Sequence, residues 1–234
     1  MRLATLTAFA TALAGPVSAA TYYVGMTGAW ENAVGGSNVN GEGTSQVSWG
    51  IPVSGGQSGY SYVGSLFNPV TLGQEFSLGS FTHNNFRIFG DSISEIDLRL
   101  TFNIWGEGQF QSVLNFTHHE TDNDGVPCAY SGGPNQNGCA DRVTVSMDYD
   151  ASDAFTIGGT EYYFSALGFL TGTETVDELL TAEQVATRVS LRGFLQERPV
   201  VTTPANDPVV TPLPASWLAL MAAIGGLALI RRRG

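Results

Sequence analysis

The chain contains no lysine: its ten basic residues are all arginine, against 21 acids, and four of the arginines (Arg2, Arg231, Arg232, Arg233) lie at the two ends. Between those ends, six arginines face 21 acids, a net charge of −15. So acidic a body excludes nucleic acid and anionic lipid surfaces as partners, because the phosphate attraction that supplies most of such affinity becomes repulsion. Solubility, an acidic matrix and divalent cations are the roles left. Cysteine is nearly absent, with only Cys128 and Cys139; with neither a second pair nor a His at zinc-ligand spacing nearby, a two-thiol metal site is the weaker reading of them. Histidine occurs three times, as His83, His118 and His119. Uninterrupted apolar runs are confined to the ends.

Both ends read as targeting segments. Arg2, the apolar run Leu3 to Leu13 and the small-residue site Val17-Ser18-Ala19 predict a signal peptide over residues 1–20, cleaved after Ala19 or Ala20. Gly15-Pro16 breaks that run before it could span a bilayer. At the other end, residues 213–230 carry no charge and would form a helix of roughly 27 Å, close to a bilayer core. Arg231, Arg232 and Arg233 would hold the C-terminus on the cytoplasmic side and leave everything upstream outside. Residues 199–211, spaced by Pro199, Pro204 and Pro208, read as an extended linker.

The body, residues 21–198, is long enough for one domain with a substantial core. Ile96, Leu98, Leu100, Phe102 and Ile104 alternate with Asp97, Arg99, Thr101 and Asn103, the two-residue period of a strand with one buried face. The pattern recurs at Ser112-Leu114-Phe116, Val143-Val145-Met147, Phe155-Ile157, Tyr162-Phe164 and Thr187-Val189-Leu191, with Gly, Asn and Asp between the runs. Residues 21–75 predict short strands with long turns. Val176 to Ala186 predicts the one helical stretch, with Thr175 and Glu178 at capping-box spacing. The fold expected is all-β: an antiparallel β-sandwich, jelly-roll-like, between an N-terminal signal peptide and a C-terminal transmembrane helix.

Chemistry is sparser. Cys128 and Cys139 enclose ten residues rich in Gly, Pro and Asn, and in an oxidising compartment they should pair, stabilising by roughly 2–3 kcal/mol. In His118-His119-Glu120, neighbouring side chains on a strand point to opposite faces, so at most one histidine joins Glu120 unless the chain turns there. Two His one helical turn apart, which a zincin needs, do not occur. Asp122-Asn123-Asp124-Gly125 resembles the start of a calcium loop, but Gly133 stands at the twelfth position, where an EF-hand has Glu. Asp122 and Asp124 are thus weak calcium candidates beside the reading as a polar turn. Gly-x-Ser-x-Gly is missing, and among 21 acids nothing singles out a glycosidase pair. Trp30, Trp49, Tyr60, Tyr62 and Trp105 could stack on sugars, although a sandwich of this size puts most such residues in its core. Thr82-His83-Asn84-Asn85 reads as a strand end and turn, with Asn tolerating a left-handed backbone and His83 bonding a neighbouring loop; contact with a ligand or metal is the alternative.

Pro212-Leu213-Pro214-Ala215, followed by the apolar helix and Arg231 to Arg233, resembles the PEP-CTERM class of sorting signals in its Val-Pro-Leu-Pro-Ala variant, with Thr211 in place of Val. That resemblance implies a Gram-negative host, recognition of the tail by an exosortase at the inner membrane, and a link to exopolysaccharide. Phe76 to Phe86, including Thr82, His83 and Asn85, is similar to the central segment of a family named for a Thr-His-x-Asn motif and found with such tails. Ser48-Trp49-Gly50 upstream and His119 to Asn123, Cys128 and Asp141 to Thr144 downstream extend the likeness over roughly residues 25–200. The expectation is an exported surface or extracellular-matrix protein, sorted through its tail and without catalytic activity. The alternative is a carbohydrate-binding module for exopolysaccharide, with calcium as a possible aid.

Overall fold

A computed structural model of the protein describes residues 21–157 and 159–197. The expected signal peptide (1–20), linker (199–211), motif Pro212 to Ala215, membrane helix (213–230) and Arg231 to Arg233 lie outside the described residues. In chain order the strands are β1 (Thr21–Gly35), β2 (Gln46–Trp49), β3 (Ile51–Pro52), β4 (Ser58–Val63), β5 (Asn68–Thr71), β6 (Glu75–Asn85), β7 (Ile88–Phe89) and β8 (Ile93–Ile104). They continue with β9 (Gly108–His119), β10 (Asp141–Asp148), β11 (Phe155–Ile157), β12 (Thr160–Thr171), β13 (Glu174–Val176), β14 (Glu178–Thr181) and β15 (Val185–Glu197).

These strands make two large antiparallel sheets. One has six strands in the order β14-β10-β9-β8-β1-β5; the other runs β11-β12-β15-β6-β4-β2, with β13 against β12, and β3 pairs with β7 in a small ribbon. The reason for two layers is visible in β8, where Ile96, Leu98, Leu100, Phe102 and Ile104 are all buried and the residues between them face out. Each sheet thus has one apolar face, and burying a Phe or Leu there contributes about 1.5–3 kcal/mol. The faces meet through aromatic pairs: Phe102 on β8 stacks on Phe164 of β12 at 3.5 Å between ring centroids. Trp30 of β1 reaches across to Phe81 of β6 at 6.0 Å and, within its own sheet, packs on Phe116 of β9 at 5.0 Å.

Two expectations require correction. No helix forms over Val176 to Ala186; β14 lies there, with Leu179 and Thr181 buried and Glu178 outward. The open edge of β10 offers a complete ladder from Asp141↔Thr181 to Thr144↔Glu178, and this tertiary pairing outweighs a local helical tendency. Thr175 donates to Glu75 instead of capping a helix. The second correction concerns residues 21–75, which begin with one strand of 15 residues rather than short ones. Gly28 within it allows the other sheet to come close, since a Cβ there would lie 2.7 Å from the Tyr62 ring.

Candidate functional site

Polar side chains gather where apolar ones belong, between the sheets at the end where β6, β9 and β14 finish and β10 and β15 begin. On β6 the buried positions run Phe76, Leu78, Gly79, Phe81, His83 and Asn85. The two-residue period slips by one at Gly79, where a bulge lies in the register between β6 and β15. That slip turns His83 and Asn85 inward and Thr82 and Asn84 outward. On β9 the buried series Leu114, Phe116 and His118 ends in the same way, and His119 points out to bond the Tyr130 hydroxyl. Only His118 of the adjacent pair therefore reaches the interior, as strand geometry requires.

Tyr60, directly opposite His83 in the β4–β6 ladder, is hydrogen-bonded through its hydroxyl to His118 Nδ1 at 2.6 Å. His118 Nε2 lies 3.3 Å from Glu120 Oε2 and 4.0 Å from Asp141 Oδ2. Asp141 opens β10; its Oδ1 accepts from the Thr121 amide at 2.8 Å and the Thr121 hydroxyl at 3.1 Å, while Oδ2 has no partner. His83 is 0% exposed and neither of its ring nitrogens is hydrogen-bonded. The expected bond from His83 to a neighbouring loop is thus not made, and Asn84 and Asn85 continue the strand rather than turning in a left-handed conformation. Asn85 Nδ2 donates to the Thr181 carbonyl at 3.1 Å, and Glu183, buried in the β14–β15 connection, leaves both carboxylate oxygens unbonded.

Burial dominates the electrostatics. It pushes Asp141 up to about 8, with Glu120 acting in the same direction and Thr121 against it. It lifts Glu183 to about 7, again reinforced by Glu120. His83 is held well below its ordinary value by desolvation and by His118. One ligand-type atom each from His83, His118 and Asp141 falls within 4.8 Å of the others. The donor set is therefore two imidazoles and a carboxylate, with further carboxylates adjacent. It does not resemble a glycosidase centre, because Asp141 and Glu183 are enclosed whereas that chemistry needs its two carboxyl groups either side of an open sugar site.

The other expected residues are placed as follows. Cys128 and Cys139 are bonded, with Cα atoms 5.2 Å apart, and Asp141 follows two residues later. Asp122 and Asp124 do not converge: Asp122 accepts the Asp124 amide in a turn, while Asp124 pairs with Arg87 at 2.9 Å, a bond calcium would have to displace. Trp30, Trp49, Tyr60 and Tyr62 are core residues. Trp105 is 77% exposed and stands edge-on to Phe67, which stacks on Tyr23 at 4.5 Å. With Leu66 and Asn103 these rings line an open cavity of about 360 Å³ on the outer side of the β1–β8 ladder.

The buried cluster carried a signal in the sequence, two histidines in phase with the apolar positions of alternating strands. For His83 it was concealed by the bulge. Phe67 and Tyr23 carried none, since exposed and buried aromatics look alike in such a stretch. In comparisons with known proteins, the chain matches no family model and no curated sequence.

Proposed function

We propose that the chain is an exported, non-catalytic surface or extracellular-matrix protein, whose body is a jelly-roll-like β-sandwich delivered by a signal peptide and sorted through its C-terminal tail. The observation that carries this reading is the Cys128–Cys139 bond, because a lone disulfide is a stable choice outside the reducing cytosol. Export followed by retention is then the role of the two ends. In that scheme residues 213–230 stop transfer, the arginines fix orientation, and an exosortase at the membrane processes the Pro212-Leu213-Pro214-Ala215 site. The test is the mature mass in a host with the matching exosortase. Processing at the tail is expected in the parent and lost on replacing Pro212 and Pro214 by Ala; an unchanged product from the variant rejects the scheme.

A second reading is favoured by the patch around Trp105. Three aromatic rings beside an exposed amide, Asn103, offer a platform for the apolar face of a sugar ring and a polar group for its hydroxyls. This supports a carbohydrate-binding role toward exopolysaccharide. Retention on immobilised host polysaccharide, abolished in Trp105→Ala, is the expected result, and equal retention of parent and variant removes this reading.

A further inference from the structure

We propose that His83, His118 and Asp141, completed by Glu120, form an enclosed structural site for a first-row divalent metal ion of the zinc type. The proposal stands apart from the sorting scheme, because it rests only on groups between the two sheets. Three of the four side chains are buried, and the fourth, Glu120, is about a quarter exposed beside them.

Two of the groups are held by an outer partner, His118 by Tyr60 and Asp141 by Thr121, the arrangement expected of metal ligands with an outer shell. His118 is tied at Nδ1 by the Tyr60 hydroxyl, and its Nε2 faces the two carboxylates; with an ion at Nε2, Nδ1 would carry the proton and donate to Tyr60. Asp141 is tied at Oδ1 by Thr121 and leaves Oδ2 bare. His83 has both nitrogens free, and its ring is kept in place by packing 5.1 Å from Tyr60 and 5.2 Å from His118. An imidazole and a carboxylate oxygen without partners in a dry interior each cost free energy. One cation between them would satisfy both at once.

The separations within the three-residue set and between His118 and Glu120 approach those of a tetrahedral ion. With metal–ligand bonds of about 2.1 Å, the ligand atoms of a tetrahedron lie roughly 3.4 Å apart. The His118–Glu120 separation of 3.3 Å already meets that figure. The His118–Asp141 separation of 4.0 Å and the 4.8 Å limit on the three-residue set must close by up to about an ångström and a half. Charge agrees too, since two neutral imidazoles and two carboxylates around a doubly charged ion sum to zero. Arg87, which bears on Glu183, is already paired with Asp124.

The donor set selects the ion. Calcium and magnesium take oxygen ligands, and two imidazoles disfavour them. Thiolate is not available, because both cysteines are bonded to each other. Imidazole with carboxylate suits zinc, and four protein ligands in an enclosed place make a structural rather than a catalytic centre. The ion would join β6 of one sheet to β9 and β10 of the other.

The experiment uses the exported full chain, purified without chelator and assayed for metals by plasma mass spectrometry. About one equivalent of zinc per chain is expected. After stripping with EDTA, ZnCl₂ at about a hundredfold over its dissociation constant should raise Tm by roughly 5–10 °C. Cobalt(II) in its place should give the visible bands of a four-coordinate nitrogen and oxygen site. His83→Leu and Asp141→Asn should abolish both responses, and Tyr60→Phe should weaken zinc binding about tenfold or more. A stripped wild-type protein whose Tm does not respond to zinc overturns the proposal, whatever the variants do. So does a folded His83→Leu protein that takes up zinc as the parent does.

Discussion

The imidazoles of His83 and His118 come from opposite sheets, yet stand edge to face with centroids 5.2 Å apart. Their strands treat the two positions as core, since Phe81 and Phe116 precede them in the same phase. A leucine at position 83 would be buried without leaving polar atoms unpartnered, whereas a bare imidazole costs about 1–3 kcal/mol. In metal-free protein, His83→Leu is therefore expected to hold or raise the urea midpoint. A loss above about 2 kcal/mol would show that His83 supports the apo fold directly.

Gly79 decides which way His83 faces. Its φ of +133° belongs to glycine, and a Cβ there would lie 2.7 Å from the Val63 carbonyl oxygen. Gly79→Ala should cost about 2 kcal/mol or more, because either the backbone strain is accepted or the bulge is lost. Should the bulge be lost, every residue beyond it reverses face, and zinc uptake falls along with stability. Urea unfolding together with metal content separates the two effects. A variant as stable as the parent would contradict the role given to this residue.

That bulge also explains which parts of the molecule were legible in the sequence. β8 could be read residue by residue, because its alternation is unbroken and one face is core. From Phe76 and Leu78 alone the same rule places His83 outside, and only the register with β15 reveals the slip at Gly79. β14 escaped for a related reason, since its partner β10 lies over thirty residues earlier and supplies the pairing that local sequence cannot show. At the cluster, Glu120 beside His118 could be anticipated from neighbouring positions. Asp141 and Glu183 could not, because their proximity is a property of strand order.

Glu183 gives a pH signature. Its folded value of about 7 lies above the ordinary carboxylate range, so the protonated form is the one the fold prefers. The stability it contributes is present below the ordinary value and is lost as pH rises through about 7. Glu183→Gln keeps the shape and removes the titration. Relative to metal-free wild type, the variant should therefore gain stability between pH 5 and pH 8, as read from urea midpoints. A difference independent of pH across that window would refute the assignment.

The disulfide loop delivers Asp141 to the cluster. Thr121 Oγ1 donates to the Cys139 carbonyl at 3.0 Å as well as to Asp141, and Asn137 reaches the Glu183 carbonyl at 3.4 Å. Reducing the bond, or replacing both cysteines by serine, should cost about 2–3 kcal/mol through the freed loop. Because Asp141 lies two residues from Cys139, zinc affinity should drop as well. Calorimetric titration of the double serine variant checks this. Unchanged zinc affinity alongside reduced stability would mean that β10, through its ladder to β9, positions Asp141 without help from the loop.

Trp105 tests the outer surface independently of the interior. It follows β8, with its amide donating to the Tyr23 carbonyl at 3.0 Å, so the backbone is anchored while the ring stays in solvent. Truncation to Ala removes little buried area, and its effect on stability should lie within about 0.5 kcal/mol. Phe164→Ala, by contrast, empties the contact with Phe102 and should cost about 3–5 kcal/mol. If the aromatic patch binds polysaccharide, only the first substitution abolishes binding in a folded protein, since stacking on one ring is the kind of contact a single truncation removes. Isothermal titration against the purified polysaccharide, run beside urea unfolding of both variants, separates a surface role for Trp105 from a loss of fold.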